Sequence, residues 1–216
     1  MKQAAFWYYD VVSPYAYLQL KRFSELEDRL EVTPVPVLFA GLLGAWGQLG
    51  PAEIPAKRVQ TYRYAHWLAT RRGLPFRAPP RHPFNPLAIL RMAIAAGSTV
   101  AVTHAVFDHV WGRGEDGEDP KGLERLAVLL GIGDVAETVN DPAIKDRLRG
   151  NTDDAVAAGV YGVPTFRIGE SLFWGDDLTD MMIDWLDDPD MLDAGEYRRL
   201  GALPTASVRQ QSRLVK

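Results

Sequence analysis

The chain has 216 residues, 47% hydrophobic and 24% charged, with a formal net charge of −4. That length fits one domain, or one domain with a large insertion, and a core of this size needs no covalent staples. The acidic balance without a basic stripe speaks against a nucleic-acid partner, and the absence of cysteine excludes a disulfide, a thiolate metal site and a cysteine nucleophile.

The opening MKQAAFWYYD shows no basic leader followed by an apolar stretch, and no apolar run approaches the roughly 18 residues of a membrane span. A cytoplasmic protein with no membrane partner is expected; a mature form stripped of its leader is the alternative. Residues Ala4 to Tyr9 read as a buried opening strand that Asp10 ends. Ser13-Pro14-Tyr15 then begins a helical pattern running to about Leu30, with Pro14 suited to the first turn and Ser13 at or beside the N-cap. Leu18, Phe23, Leu26 and Leu30 supply its core-facing stripe. Leu30 to Leu38 is β-branched and punctuated by proline, which suggests an edge strand.

From Phe39 to Arg58 the chain is rich in Gly, Ala and Pro. Arg58 to Arg72 looks helical, with Tyr62, Ala65, Leu68 and Ala69 as core positions. Five prolines between Pro75 and Pro86 require an extended loop. Leu87 to Ala96, Val100 to Trp111, Lys121 to Leu130 and Pro142 to Gly159 read as helices. Val163 to Ile168 and Ser171 to Gly175 read as a β-hairpin, and Asp176 to Leu186 as an amphipathic helix. Beyond Pro189 the pattern is loose, and the last ten residues are expected to lack order. The order strand, helix, strand, helical block, strand, strand, helix is α/β with an inserted helical region. A right-handed crossover joins the first two strands.

Three places carry possible chemistry, each with a plainer alternative. Ser13, where a strand turns into a helix, is either an N-cap alone or a group beside which an anion such as a thiolate would be stabilised. Val163-Pro164 is either a strand boundary or, with a cis bond, a segment whose outward backbone would pair with an extended peptide. Asp176 and Asp177 either cap a helix, or one of them receives an ammonium group. His66, His82, His104 and His109 have no metal-ligand spacing, so no metal is expected; His82 lies in Arg81-His82-Pro83-Phe84-Asn85-Pro86 and either borders a pocket or, as is usual for a loop histidine, is simply solvated. GxGxxG, P-loop and GxSxG patterns are absent.

Taken in order, D-x-x-SPYAYL, the helical insertion, GVYGVPTF and FWGDD resemble the DsbA-like thioredoxin superfamily, over roughly residues 5 to 188. Within it the chain is similar to the 2-hydroxychromene-2-carboxylate isomerases and the kappa-class glutathione transferases, as are the segments PVLFAGLLGAWGQLGPAEIPAKR and HPFNPLAILR. The resemblance implies a thioredoxin-like domain formed by residues 1–40 and 155–205, an inserted helical domain at 41–154 and a tail at 206–216. It implies glutathione as cofactor, with Ser13 catalytic and contacting its sulfur. Val163 before a cis Pro164 would pair with the tripeptide backbone. Trp174 and Gly175 would line that site, and Asp176 and Asp177 would meet the γ-glutamyl end. Tyr15, Gln48 and Asn85 would face a small aromatic substrate, and a homodimer is expected.

The implied reaction is isomerisation of a chromene or benzylidenepyruvate-type compound by reversible thiolate addition and bond rotation. Conjugation by a kappa-like transferase is the alternative enzyme, and a thioredoxin-type binding module without chemistry the alternative outside catalysis. The chain departs from the isomerase pattern at Gly44, where many members have lysine, and at Gln48 and Asp176-Asp177-Leu178. Lys57, Arg58 and Arg81 are candidates to compensate for the missing lysine.

Overall fold

A computed structural model describes residues 2–206. Strand β1 (Gln3–Tyr9) pairs in parallel with β2 (Leu30–Pro36). The connection between them is helix α1 (Pro14–Leu20), which stops ten residues earlier than the sequence pattern suggests. Leu30 must pair with Gln3 as the first residue of β2, so a 3-10 turn at Phe23–Glu25 and further turns bring the chain back in the remaining space. Leu18, Phe23, Leu26 and Leu30 are nonetheless all buried. Pro34 and Pro36 are accommodated because β2 forms one edge of the sheet.

The block between β2 and β3 is helical. It comprises α2 (Phe39–Trp46), α3 (Pro55–Arg71), α4 (Leu87–Ala95), α5 (Val100–Phe107), α6 (Pro120–Leu130), α7 (Val135–Asn140) and α8 (Pro142–Ala157). Helix α5 passes into a wider π-type turn at Asp108–Gly112, so the helix expected to reach Trp111 changes geometry first. Helices α2 and α7 have no counterpart in the sequence reading. The first is rich in Gly and Ala, and the second is only six residues long, started by the Asp134 side chain.

The sheet is completed by β3 (Thr165–Ile168), antiparallel to β1, and β4 (Ser171–Trp174), antiparallel to β3, in the order β2-β1-β3-β4. This mixed α/β sheet with its helical insertion is the DsbA-like thioredoxin arrangement that the sequence resemblance implies. The period of two in β1 directs its aromatics to both faces. Trp7 packs with Tyr9, Phe23, Phe107 and Phe166. Tyr8 on the opposite face joins Val37, Leu42, Ala155, Val160 and Val163. One loop leaving each side of this core therefore starts from a rigid base: residues 10–13 after β1, and residues 160–164 before β3.

The chain divides into two compact units, residues 1–179 and residues from 180 onward. Helix α9 (Thr179–Asp187) crosses that boundary, and the second unit also contains α10 (Gly195–Gly201). Of the tail expected at 206–216, residues 207–216, on which the expected lack of order also falls, lie outside the described residues. Among the described residues no helix is long and apolar enough to cross a membrane.

Candidate functional site

The turn after β1 is held at almost every backbone group. Asp10 is fully buried; its Oδ1 accepts the Val12 N–H at 2.9 Å and its Oδ2 the Phe39 N–H at 2.9 Å. The Asp10 carbonyl accepts the Ser13 N–H at 3.0 Å, and Trp111 Nε1 donates to the Val11 carbonyl at 2.8 Å. One carboxylate thus joins the turn to the start of α2. Loss of water around that carboxylate pushes its pKa up to about 7, against the pull of the two amides.

Ser13 is the N-cap of α1 and Pro14 its first residue. The serine has extended backbone angles, and its Oγ accepts the Ala16 N–H at 3.3 Å. The same Oγ donates to the carbonyl of Val163 at 3.4 Å, a long bond between residues 150 apart in sequence. The residue is 7% exposed, and its side chain is bordered by these polar backbone groups.

Val163-Pro164 is a cis bond, and the Pro164 carbonyl accepts the Gly175 N–H at 2.8 Å. Thr165 Oγ1 donates to the Gly162 carbonyl at 2.8 Å and secures the same loop. Trp174, partly exposed, lies across Gly162, where a Cβ would come within 2.4 Å of the indole nitrogen. Its ring meets Tyr161 edge-on at 5.2 Å. Gly175 has φ +93° and ψ 159°, a region essentially reserved for glycine, and a Cβ there would sit 2.3 Å from Asp177 Oδ1. Gln19 from α1, fully buried, ties this turn inward by donating to the Gly175 carbonyl at 2.9 Å and to Thr179 Oγ1 at 3.0 Å. It also accepts from Trp7 Nε1 at 2.7 Å.

The two aspartates differ. Asp176 is buried and receives both guanidinium nitrogens of Arg72, at 2.8 and 2.7 Å, so it anchors the end of α3. Asp177 is exposed, with its carboxylate folded over Gly175. Of the pair that the sequence reading assigns jointly to an ammonium group, Asp177 is the one whose carboxylate faces solvent. Tyr15 is partly buried, its ring 6.3 Å from that of Tyr64; burial raises its hydroxyl pKa against the pull of a hydrogen bond with Thr61, and Tyr64, Asp177 and Asp176 add to the rise.

Ser13, Val163, Pro164, Trp174 and Gly175 are therefore linked through contacts and hydrogen bonds, with Asp176, Asp177 and Tyr15 beside them. Gln48 is exposed just beyond the end of α2, and Trp46 connects that end to the 160–164 loop by donating to the Val160 carbonyl at 2.9 Å. Asn85 is exposed and engaged locally. Its Oδ1 accepts the Leu87 N–H in a turn that leads into α4, and its own N–H goes to the Glu118 carboxylate. Gly44 faces open space: a Cβ added there would meet nothing within 4 Å. Arg81 pairs with Asp116. A groove of about 620 Å³ between α6 and α7 is lined by none of the residues expected in the site.

Sequence reasoning misses the anchors. Asp10 reads as the end of a strand and as the first residue of D-x-x-SPYAYL, with no anchoring role, although an aspartate two residues before a free amide is a turn signal. Arg72 and Gln19 carry no local signal, since their partners lie 104 and 156 residues away. His82 is drawn in from the proline-rich loop. Its Nε2 lies 2.7 Å from the Val12 carbonyl and its Nδ1 2.7 Å from the Tyr62 hydroxyl. Burial lowers its pKa.

The family model of the DsbA-like thioredoxin domain matches residues 6–187. A 2-hydroxychromene-2-carboxylate isomerase from Sphingobium xenophagum is 27% identical over 191 residues, covering 83% of this chain and 95% of that protein. A glutathione S-transferase kappa 2 from Caenorhabditis elegans is 25% identical over 205 residues, covering 84% and 91%. A solved 2-hydroxychromene-2-carboxylate isomerase superposes with a TM-score of 0.78 at 23% identity, covering 88% of this chain and 97% of that one.

Proposed function

The chain belongs to the DsbA-like thioredoxin family, and from that premise we propose that it is a glutathione-dependent isomerase of an unsaturated aromatic substrate of the chromene or benzylidenepyruvate type. The observation carrying this reading is the meeting of Ser13 and Val163 in a chain without cysteine. Such a chain has no thiol of its own, so a sulfur nucleophile acting at this site is one brought in by a cofactor. The relatives named as an isomerase and as a glutathione transferase support glutathione as the source.

The residues present fit that tripeptide. In this reading the backbone of Val163 beside the cis bond meets the tripeptide, the exposed Asp177 carboxylate meets an ammonium group, and Trp174 and Gly175 line the space between them. Asp176, held by Arg72, stands next to Gly175 in that lining. Tyr15, Gln48 and Asn85 are assigned to the side of the second substrate.

Bound glutathione supplies a thiolate that adds reversibly to a conjugated double bond, which makes rotation about it possible. A free thiol with pKa near 8.5 is only about 3% ionised at pH 7. The Ser13 hydroxyl, held to Val163 by one long bond, can turn its hydrogen toward a neighbouring anion while its oxygen still caps α1. A hydrogen bond to a charged group contributes about 1.5–3 kcal/mol, equivalent to roughly one to two pKa units of thiol ionisation.

The test is a thermal-shift titration with glutathione, followed by turnover of unsaturated aromatic pyruvates by wild type and Ser13→Ala. Stabilisation by glutathione is expected, and Ser13→Ala should lower turnover by about 10- to 100-fold while glutathione affinity stays within about threefold. Unchanged turnover of the variant at saturating glutathione refutes the role of Ser13; no thermal shift and no turnover refute the enzyme reading altogether. The kappa-class relative favours conjugation as a second reading. Mass spectrometry separates the two, because conjugation leaves a stable adduct whereas isomerisation returns glutathione unchanged.

A further inference from the structure

We propose that His82 is a positioning residue: by donating from Nε2 to the Val12 carbonyl it sets the Val12–Ser13 peptide plane, and Tyr62 holds its ring in the tautomer this requires. A carbonyl oxygen only accepts, so at 2.7 Å Nε2 must carry the proton. Nδ1 lies 2.7 Å from Tyr62 Oη, and that hydroxyl also lies 3.0 Å from the carbonyl of His82 itself. With a neutral ring, Tyr62 donates to Nδ1 and thereby selects the Nε2–H tautomer. With a charged ring, Nδ1 donates to the phenol and the phenol proton turns to the His82 carbonyl. The bond to Val12 persists in both states.

The surroundings favour the neutral ring. Trp111 meets the imidazole at 5.4 Å and Phe84 at 6.0 Å, and burial with the Arg58 charge opposes protonation against the pull of the Val12 carbonyl. The ionisable groups facing the ring are Tyr62 and Arg58, both from α3. Trp111 and Phe84 complete its cage. Both ring nitrogens are already engaged, so the histidine acts through the backbone and not on a substrate.

What it holds is the peptide that presents Ser13. The Val12 N–H is fixed by Asp10 Oδ1, the Ser13 N–H by the Asp10 carbonyl, and the Val12 carbonyl by His82. Without the last bond the peptide plane is held from one edge only, by the Ser13 N–H on the Asp10 carbonyl, and the Ser13 Oγ is less firmly placed relative to Val163.

The kinetic part of the test rests on the glutathione reading, so a second part is independent of it. His82→Leu removes the donor, whereas His82→Gln places an amide N–H where Nε2 stood. At saturating glutathione, His82→Leu should lower kcat about tenfold and raise the apparent pKa of the bound thiol by about half a unit or more, followed by thiolate absorbance against pH. His82→Gln should restore both to near wild type, with KM for glutathione changing less than about threefold throughout. Equal defects in the two variants, or unaltered thiol ionisation in His82→Leu, overturn the proposal. Nitrogen-15 NMR of the imidazole needs no ligand and no His82 variant. Wild type should show the Nε2–H tautomer, and Tyr62→Phe a new Nδ1–H population. An Nδ1–H ring in the wild type overturns the proposal whether or not glutathione binds. Absence of any thiolate signal from wild type with glutathione counts against the cofactor reading, and the inference is then decided by NMR alone.

Discussion

The Arg72–Asp176 pair offers the sharpest energetic test, because the two partners are buried unequally. The side chains are 25% and 4% exposed, and two parallel N–H···O bonds of 2.8 and 2.7 Å join them. Arg72→Met keeps an apolar stem of similar reach but leaves the Asp176 carboxylate in a site with almost no water. Breaking a buried pair from one side costs about 3–5 kcal/mol, and the partial exposure of Arg72 favours the lower end, about 3 kcal/mol. Asp176→Asn is the milder change. It leaves an arginine that can rehydrate, and its expected cost is about 1–2 kcal/mol. Urea unfolding with linear extrapolation measures both. For a chain of this length the Arg72→Met loss corresponds to a fall in Tm of about 6–12 °C. If Asp176→Asn proves the costlier variant, or Arg72→Met costs less than about 1 kcal/mol, unequal burial does not govern the energetics of this pair.

Other expectations follow from the same geometry. Burial holds the pKa of Asp10 near 7 in the folded chain against 3.8 normally, so its contribution to stability is full below pH 4 and is lost as pH rises toward 7. Asp10→Asn should therefore flatten the fall in unfolding free energy between pH 5 and pH 7 by about 1 kcal/mol per pH unit; parallel profiles in chemical denaturation would contradict this. Gly175→Ala must adopt φ +93° and displace the Asp177 carboxylate. It should cost about 1–3 kcal/mol, read by denaturation, and weaken the proposed binding of glutathione, read by calorimetry. Gly44→Lys introduces a Cβ that meets nothing within 4 Å, on an exposed turn of α2. A Tm unchanged or raised, by up to about 1 kcal/mol of stability, is expected from helix propensity, and calorimetry will show whether a cation there tightens glutathione.

Local rules were enough for part of this molecule. The aromatic run of β1, the serine-proline start of α1, the proline-marked edge of β2 and the final hairpin each carry a period, a cap or a breaker that is visible within a few residues of sequence. The same rules erred where short-range signals are degenerate. The apolar spacing of Phe23, Leu26 and Leu30 suits a helix and a series of turns equally, and a Gly-rich segment such as α2 forms a helix because packing against α8 and the Asp10 bond at its first turn hold it. No local rule reaches the bonds that shape the site. Ser13 meets Val163 across 150 residues, Gln19 meets Gly175 across 156, and Arg72 meets Asp176 across 104. Residue types and their order announced a helix cap, a Val-Pro loop and an acidic turn. Whether these faced one another, and which aspartate stayed open to solvent, depended on sheet pairing and on burial, since only a closed core removes the water that would otherwise satisfy each of those polar groups separately.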